Sequence, residues 1–246
     1  MIEFEHDILS LILLDKESPL LKRNLKQLKN SRELPVESEA EDYIFACGKG
    51  LIVVTTALSK AAFSIEILRT VRQSALDLPN FTLAEQIGFA IENYLIRSAT
   101  VYDRAMIFVS KLLDLGIIDG SIAHELIVTN EHVVRAGLVP ALKALRKACM
   151  SHREERNAII HHRSYSEEEF DKLAMLHSAQ ALSLKSGRTA PFDAETVNEY
   201  TEGVLSLRIV EFEEHLGAVR TAVATVLDGA ISVYRSERQR RMSVST

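Results

Sequence analysis

Apolar residues recur along this chain at steps of three and four, and almost nowhere in strict alternation. Near the start, Ile8, Leu9, Ile12 and Leu13 form one amphipathic face and Leu21, Leu25 and Leu28 another, with Pro19 between them. The polar stretch SRELPVESEAED then reads as a connection. GLIVVTT carries the β-branched residues of a strand. However, Leu51, Val54, Leu58, Ala61, Ile65 and Leu68 keep helical spacing over several turns, which predicts a helix from about 50 to 76.

Pro79 closes that element, and Thr82 with Glu85 offers a capping box for the next. The helix that follows is expected to run to a stop at Gly116. Leu83, Ile87, Ala90, Tyr94, Val101, Ala105, Phe108 and Leu112 line one side of it, widened by Ile91, Leu95, Tyr102, Met106, Val109 and Leu113. A stripe this broad requires cover from more than one neighbour. Further helices are expected from Ser121 to Gly137 and from Pro140 onward, where Leu138, Leu142, Leu145 and Cys149 make a seam that spacing continues through His152 and Arg156 to Ile159. Ser166 and Glu169 suggest another capping box, LKSGRTAPFD a loop, and Asp193 the start of a last helix. In that helix Ile209, Phe212, Leu216, Val219, Val223, Val226, Ala230 and Tyr234 keep nearly heptad spacing. RSERQRRMSVST reads as a frayed basic tail. The expected fold is therefore all-α, an up-and-down helical bundle over residues 81–246 with additional N-terminal helices over residues 1–80.

Composition narrows the class. With 47% hydrophobic and 26% charged residues the chain is globular, and ten glycines and five prolines in 246 residues leave few breakers. A net charge of −5 argues against a broad, non-specific nucleic-acid binder. Cys47 and Cys149 make no C-x-x-C pair and no cysteine zinc site, which fits reduced thiols in a cytoplasmic protein. The acidic start lacks signal-peptide features, and no uncharged apolar run approaches the ~20 residues of a membrane helix, so no membrane partner is expected.

The chemistry concentrates in REERNAIIHHRS, residues 153–164. Between Lys143 and Arg163 stand six Lys or Arg and three His against two Glu, in an otherwise acidic protein. A bare charge run is usually a solvated helix face, and Arg153 and Arg163 fit that reading. Arg156 falls on the apolar seam, Asn157 can orient a ring or a ligand, and His161 and His162 follow two isoleucines directly. Histidine moves protons near neutral pH, while the planar guanidinium binds phosphate and stabilises charge developing there. Together they suit cleavage of a phosphodiester by its neighbouring 2′-hydroxyl, which makes RNA the natural substrate. A single histidine is one proton handler short, and a two-fold interface would supply the second. Neighbouring histidines project about 100° apart on a helix and no Asp or Cys completes a set with them, so neither a metal nor another cofactor is expected. There is no P-loop, dinucleotide fingerprint, nucleophile elbow or H-E-x-x-H.

RNAIIH, residues 156–161, resembles the motif of the HEPN superfamily: an arginine, a polar follower and, after a short helical spacing, a histidine. The resemblance implies a HEPN-like all-α bundle. It implies a metal-independent endoribonuclease, of the kind found among toxins and phage-defence effectors, that works as a homodimer with an antitoxin protein as partner. It also admits a non-catalytic module that binds RNA, a nucleotide or a protein. Carried over, Arg156 is the motif arginine, Asn157 its polar follower and His161 the motif histidine, while His162 also falls within the spacing. His152, Arg153 and Arg163 flank the motif as candidates for substrate binding. Some family members carry a modifiable tyrosine two residues after the histidine. Here Arg163 stands there and Tyr165 comes later, so the resemblance does not extend to that feature.

Overall fold

In the computed structural model, which describes residues 4–22, 36–74, 80–161 and 165–244, every regular element is helical. The helices are α1 (Asp7–Leu13), α2 (Pro19–Lys22), α3 (Glu39–Ser74), α4 (Leu83–Leu112), α5 (His124–Val128), α6 (Glu131–Arg135), α7 (Val139–Cys149), α8 (Arg153–His161), α9 (Glu168–Lys185) and α10 (Ala194–Val244). The all-α reading therefore holds. Leu25 and Leu28 of the second expected face lie outside the described residues. The chain divides into two compact units, one made of Met1–Ser59, Thr100–Met150 and Val219–Thr246, the other of Lys60–Ala99 and Ser151–Ala218. α3, α4 and α10 contribute to both.

In the first unit the apolar periodicity becomes core. Ile8, Ile12, Leu51, Val54, Leu58, Val101, Phe108, Leu142, Leu145, Val223, Val226 and Tyr234 are all buried, and each large aliphatic side chain so buried contributes about 1.5–3 kcal/mol. A Cβ on Gly50 would stand 3.0 Å from the Phe108 backbone, so α3 and α4 approach where a side chain is absent. The Tyr43 hydroxyl donates to the Leu112 carbonyl at 2.9 Å, tying the start of α3 to the end of α4. Asp15, just after α1, accepts from the Tyr234 hydroxyl at 2.7 Å and from Arg238 Nη2 at 2.9 Å. Burial pushes the Asp15 carboxyl up, but the hydrogen bonds from Arg238, from the Glu17 amide and from Tyr234 outweigh it and hold it below its usual value.

The second unit buries Ala61, Ile65 and Leu68 of α3, Ile87, Ile91 and Tyr94 of α4, Leu173 of α9 and Phe212 of α10. Asn93 Nδ2 donates to Ser64 Oγ at 2.9 Å between α3 and α4, and Arg72 Nη2 donates to Asn198 Oδ1 at 2.6 Å between α3 and α10. By length and composition alone, Glu39–Gln73 and Ala194–Ser243 are apolar enough to cross a membrane, although half of the most apolar stretch in the first is buried inside the fold.

The main departures from expectation lie at helix ends. α3 begins at Glu39, well before residue 50, because Ser38 Oγ accepts the Glu41 N–H at 3.2 Å and Glu41 Oε2 accepts the Glu37 N–H at 2.9 Å. This cap sits inside the stretch read as a connection. The Thr82 and Glu85 box forms as expected, with Thr82 N–H on Glu85 Oε2 at 2.6 Å and Glu85 N–H on Thr82 Oγ1 at 3.2 Å. α4 stops at Leu112 rather than Gly116. Asp114 takes the left-handed conformation (φ 48°), and Leu115 N–H returns to the Ser110 carbonyl at 3.0 Å. The helix expected over 121–137 is two short ones, because Asn130 caps α6 through its bond from the His132 N–H at 2.9 Å. α7 ends at Cys149, and the seam resumes in a separate helix, α8. Ser166 makes no cap: its hydroxyl donates to Asp171 Oδ2 at 2.7 Å. The C-terminal arginines are held in place, since α10 runs on to Val244 and Arg241 is only 2% exposed, on Asp114 at 2.9 Å and Glu237 at 2.5 Å.

Candidate functional site

α8 is a nine-residue helix whose opening bond runs from the Arg156 N–H to the His152 carbonyl at 3.0 Å. Glu154 and Glu155 stand in its first turn, where carboxylates favour the positive end of the helix. Arg153 is exposed, while Arg156 and Asn157 are half-buried. The Arg156 Nε is buried and makes no hydrogen bond among the described residues. His161 is the last residue of α8; its side chain, and His162 and Arg163, lie outside the described residues. His161 stands five positions after Arg156, which places them about 140° apart around the helix and about 7.5 Å apart along it. Positions so placed do not share one face.

Beside the motif lies a charged network that the sequence did not announce. His152 Nδ1 is 2.7 Å from Glu155 Oε2 and 3.8 Å from Glu211 Oε1. The edge of its ring meets Phe212 at 5.9 Å and His215 at 4.7 Å between centroids. The His152 hydrogen bond holds the Glu155 carboxyl below its usual value, against the opposing effect of burial. Arg208 of α10 is 9% exposed and reaches Glu211 at 2.5 Å, Glu155 at 3.9 Å and Glu167. Its guanidinium also lies over the Tyr165 ring at 5.3 Å. Tyr165 is anchored in turn: its N–H donates to Glu92 Oε1 at 2.6 Å and its hydroxyl to Glu167 Oε2 at 2.5 Å. Burial pushes its phenol well above the usual range, so it remains a donor. Deeper in the unit, the Tyr94 hydroxyl donates to the Phe212 carbonyl at 2.9 Å and meets His215 Nδ1 at 2.7 Å. With its own proton so used, Tyr94 accepts from that nitrogen.

The structure thus gathers His152, expected beside the motif, with Glu155, Arg208, Glu211 and Tyr165, none of which had been singled out for the site. Their signal was present in α10. The buried positions Thr201, Leu205, Arg208, Phe212 and His215 continue the heptad-like seam backward, and two of them are ionisable. His152 itself, expected to bind substrate, has its Nδ1 engaged by Glu155. Chemically the arrangement offers a half-buried guanidinium at Arg156 whose Nε finds no acceptor among the described residues, beside Glu155 and the carboxylates that engage Arg208.

Among known proteins, the family described as Cthe2314-like HEPN matches residues 53–230, well over half of the chain. No curated protein and no solved structure matches it.

Proposed function

Because the chain belongs to the Cthe2314-like HEPN family, we propose that it is a metal-independent endoribonuclease acting as a homodimer in the cytoplasm. In this reading His161 takes the proton of an RNA 2′-hydroxyl, and that oxygen attacks the adjacent phosphorus. The bond to the 5′-oxygen breaks, the leaving oxygen receives a proton from the second copy's motif, and a cyclic phosphate remains. Arg156 holds the phosphate as charge builds on it. Asn157 orients the group beside it, His162 supports or replaces His161, and Arg153 and Arg163 meet flanking phosphates. An activity of this kind on cellular RNA suits a toxin or phage-defence effector restrained by an antitoxin protein.

The observation that carries the reading is the Arg156 Nε. A buried donor with no acceptor is costly, by about 1–3 kcal/mol, and calls for a partner. A substrate oxyanion is such a partner. The position of His161, about 140° around the helix from Arg156, supports a site completed by a second copy.

A second reading is favoured by the carboxylates. Glu92, Glu155, Glu167 and Glu211 surround the start of α8 and the Tyr165 anchor, and with the net charge of −5 they repel a polyanion. On that ground the chain is a non-catalytic HEPN module, and among RNA, a nucleotide and a protein as what it holds, the carboxylates favour a protein. Incubation with single-stranded and transfer RNA in EDTA separates the two. The nuclease reading expects fragments ending in cyclic phosphate that disappear in His161→Ala. RNA left intact by wild type, or cut equally by the variant, overturns it.

A further inference from the structure

The start of α8 carries a donor set that the motif chemistry leaves unused. His152, Glu155 and Glu211 each offer one ligand atom, and these three atoms all lie within 4.8 Å of one another. Two different elements supply them, His152 and Glu155 from the opening of α8 and Glu211 from α10. Each carboxylate divides its oxygens between two tasks. Glu155 turns Oε2 to His152 Nδ1 at 2.7 Å and Oε1 toward Arg208 at 3.9 Å. Glu211 turns Oε1 toward His152 at 3.8 Å and gives Oε2 to Arg208 at 2.5 Å. One oxygen of each therefore converges on the imidazole nitrogen while the other faces Arg208, which hydrogen-bonds that of Glu211, as outer partners do in orienting metal-ligating carboxylates.

Spacing and charge agree with that reading. Zinc bonds to nitrogen and oxygen of about 2.0–2.2 Å put neighbouring ligand atoms about 3.4 Å apart in a tetrahedral site. The separations of 2.7 and 3.8 Å from His152 Nδ1 bracket that value. Glu155, Glu167 and Glu211 all face the single guanidinium of Arg208, which leaves an excess of two negative charges when His152 is neutral. A proton on His152 cancels half of that excess; a divalent cation cancels it all. The side chains of His152, Glu155 and Glu211 are 15%, 35% and 40% exposed, so an ion can enter and keep water at its remaining positions.

We propose that His152, Glu155 and Glu211 bind a divalent first-row metal ion that clamps the opening of α8 to α10. One imidazole and two carboxylates form a borderline-to-hard set suited to Zn2+ or Mn2+. The clamp holds the helix that carries Arg156 and takes no part in the proposed cleavage, which needs no metal. It stands whether or not the chain cuts RNA.

The test uses the full chain, stripped with a chelator and dialysed, then titrated calorimetrically with ZnCl2 and separately with MnCl2. The expected result is one saturable site per chain, and a higher melting temperature with the ion bound. His152→Ala, Glu155→Gln and Glu211→Gln each weaken binding at least tenfold and abolish the thermal shift. His132→Ala, at an exposed position, leaves both unchanged. Helix content by circular dichroism qualifies each variant, and the Gln variants retain the shape and an oxygen acceptor where the alanine does not. Absence of saturable binding to wild type, or binding unchanged in the folded variants, overturns the proposal and leaves a cluster joined by protons and Arg208 alone. RNA cleavage is not read, so the fate of the nuclease reading does not affect the outcome.

Discussion

Arg156 and Arg208 are both arginines at least half shielded from water, yet they should respond oppositely to removal. Arg208 answers Glu155, Glu167 and Glu211. Arg208→Met leaves those carboxylates facing one another, and breaking a fully buried pair costs about 3–5 kcal/mol. The partners here are a third or more exposed, so water screens part of the loss and we expect about 2 kcal/mol in urea denaturation. Arg156→Met removes a buried Nε that has no acceptor among the described residues, so stability stays level or rises by about 1 kcal/mol. The same variant should lose RNA cleavage. A large destabilisation by Arg156→Met would show that the side chain serves the fold, and would remove the main support for a substrate role. At this scale the sequence disclosed only part of the site. Arg156 was legible because a charge on an apolar seam is out of place. The network around Arg208 was not: its i,i+3 step to Glu211 is ordinary on a helix surface, and Glu92, Glu155 and Glu167 join through tertiary contacts that no local spacing encodes.

Helix interiors were legible throughout and helix ends only in part, for a physical reason. Burial imposes a period over many residues: all six positions Leu51, Val54, Leu58, Ala61, Ile65 and Leu68 of α3 are buried as their spacing required. A helix end depends on one or two side chains choosing among local partners. Thr82 and Glu85 form a reciprocal cap, and Ser38 caps Glu41 while the Glu41 carboxylate takes the Glu37 N–H. Ser166, with the same S-x-x-E spacing to Glu169, bonds Asp171 instead. Alanine substitution should separate them. Ser38→Ala and Thr82→Ala are each expected to cost about 1 kcal/mol, whereas Ser166→Ala loses one exposed side-chain bond and should cost less than half of that. Equal losses at all three positions in urea melts would mean that Ser166 caps α9 after all. The C-terminal run misled in the opposite direction. Its arginines looked like a solvated tail, but Arg238 and Arg241 find Asp15 and Asp114, residues more than a hundred positions away in the chain.

At the scale of the molecule the question is what a second copy contributes. Within the second unit, Ile160 of α8 is 47% exposed, and Leu207 and Val210 of α10 are 71% and 53% exposed. α8 and α10 are already neighbours through His152, Glu155, Arg208 and Glu211. These aliphatics therefore flank the helix that bears the motif. Scattered exposed aliphatics are ordinary on a monomer, but three on the two helices of one candidate site fit the centre of a two-fold contact. Such a contact also brings two copies of α8 together, which answers the wide angle between Arg156 and His161. We expect the full chain to sediment as a dimer. Leu207→Glu with Val210→Glu should sediment as a monomer with unchanged helix content. Because neither residue belongs to the motif, its loss of cleavage would report the missing second copy rather than missing chemistry. A monomeric variant that cuts RNA at the wild-type rate would show that one copy of Arg156 and His161 suffices, and the composite site would fall while the family assignment stands.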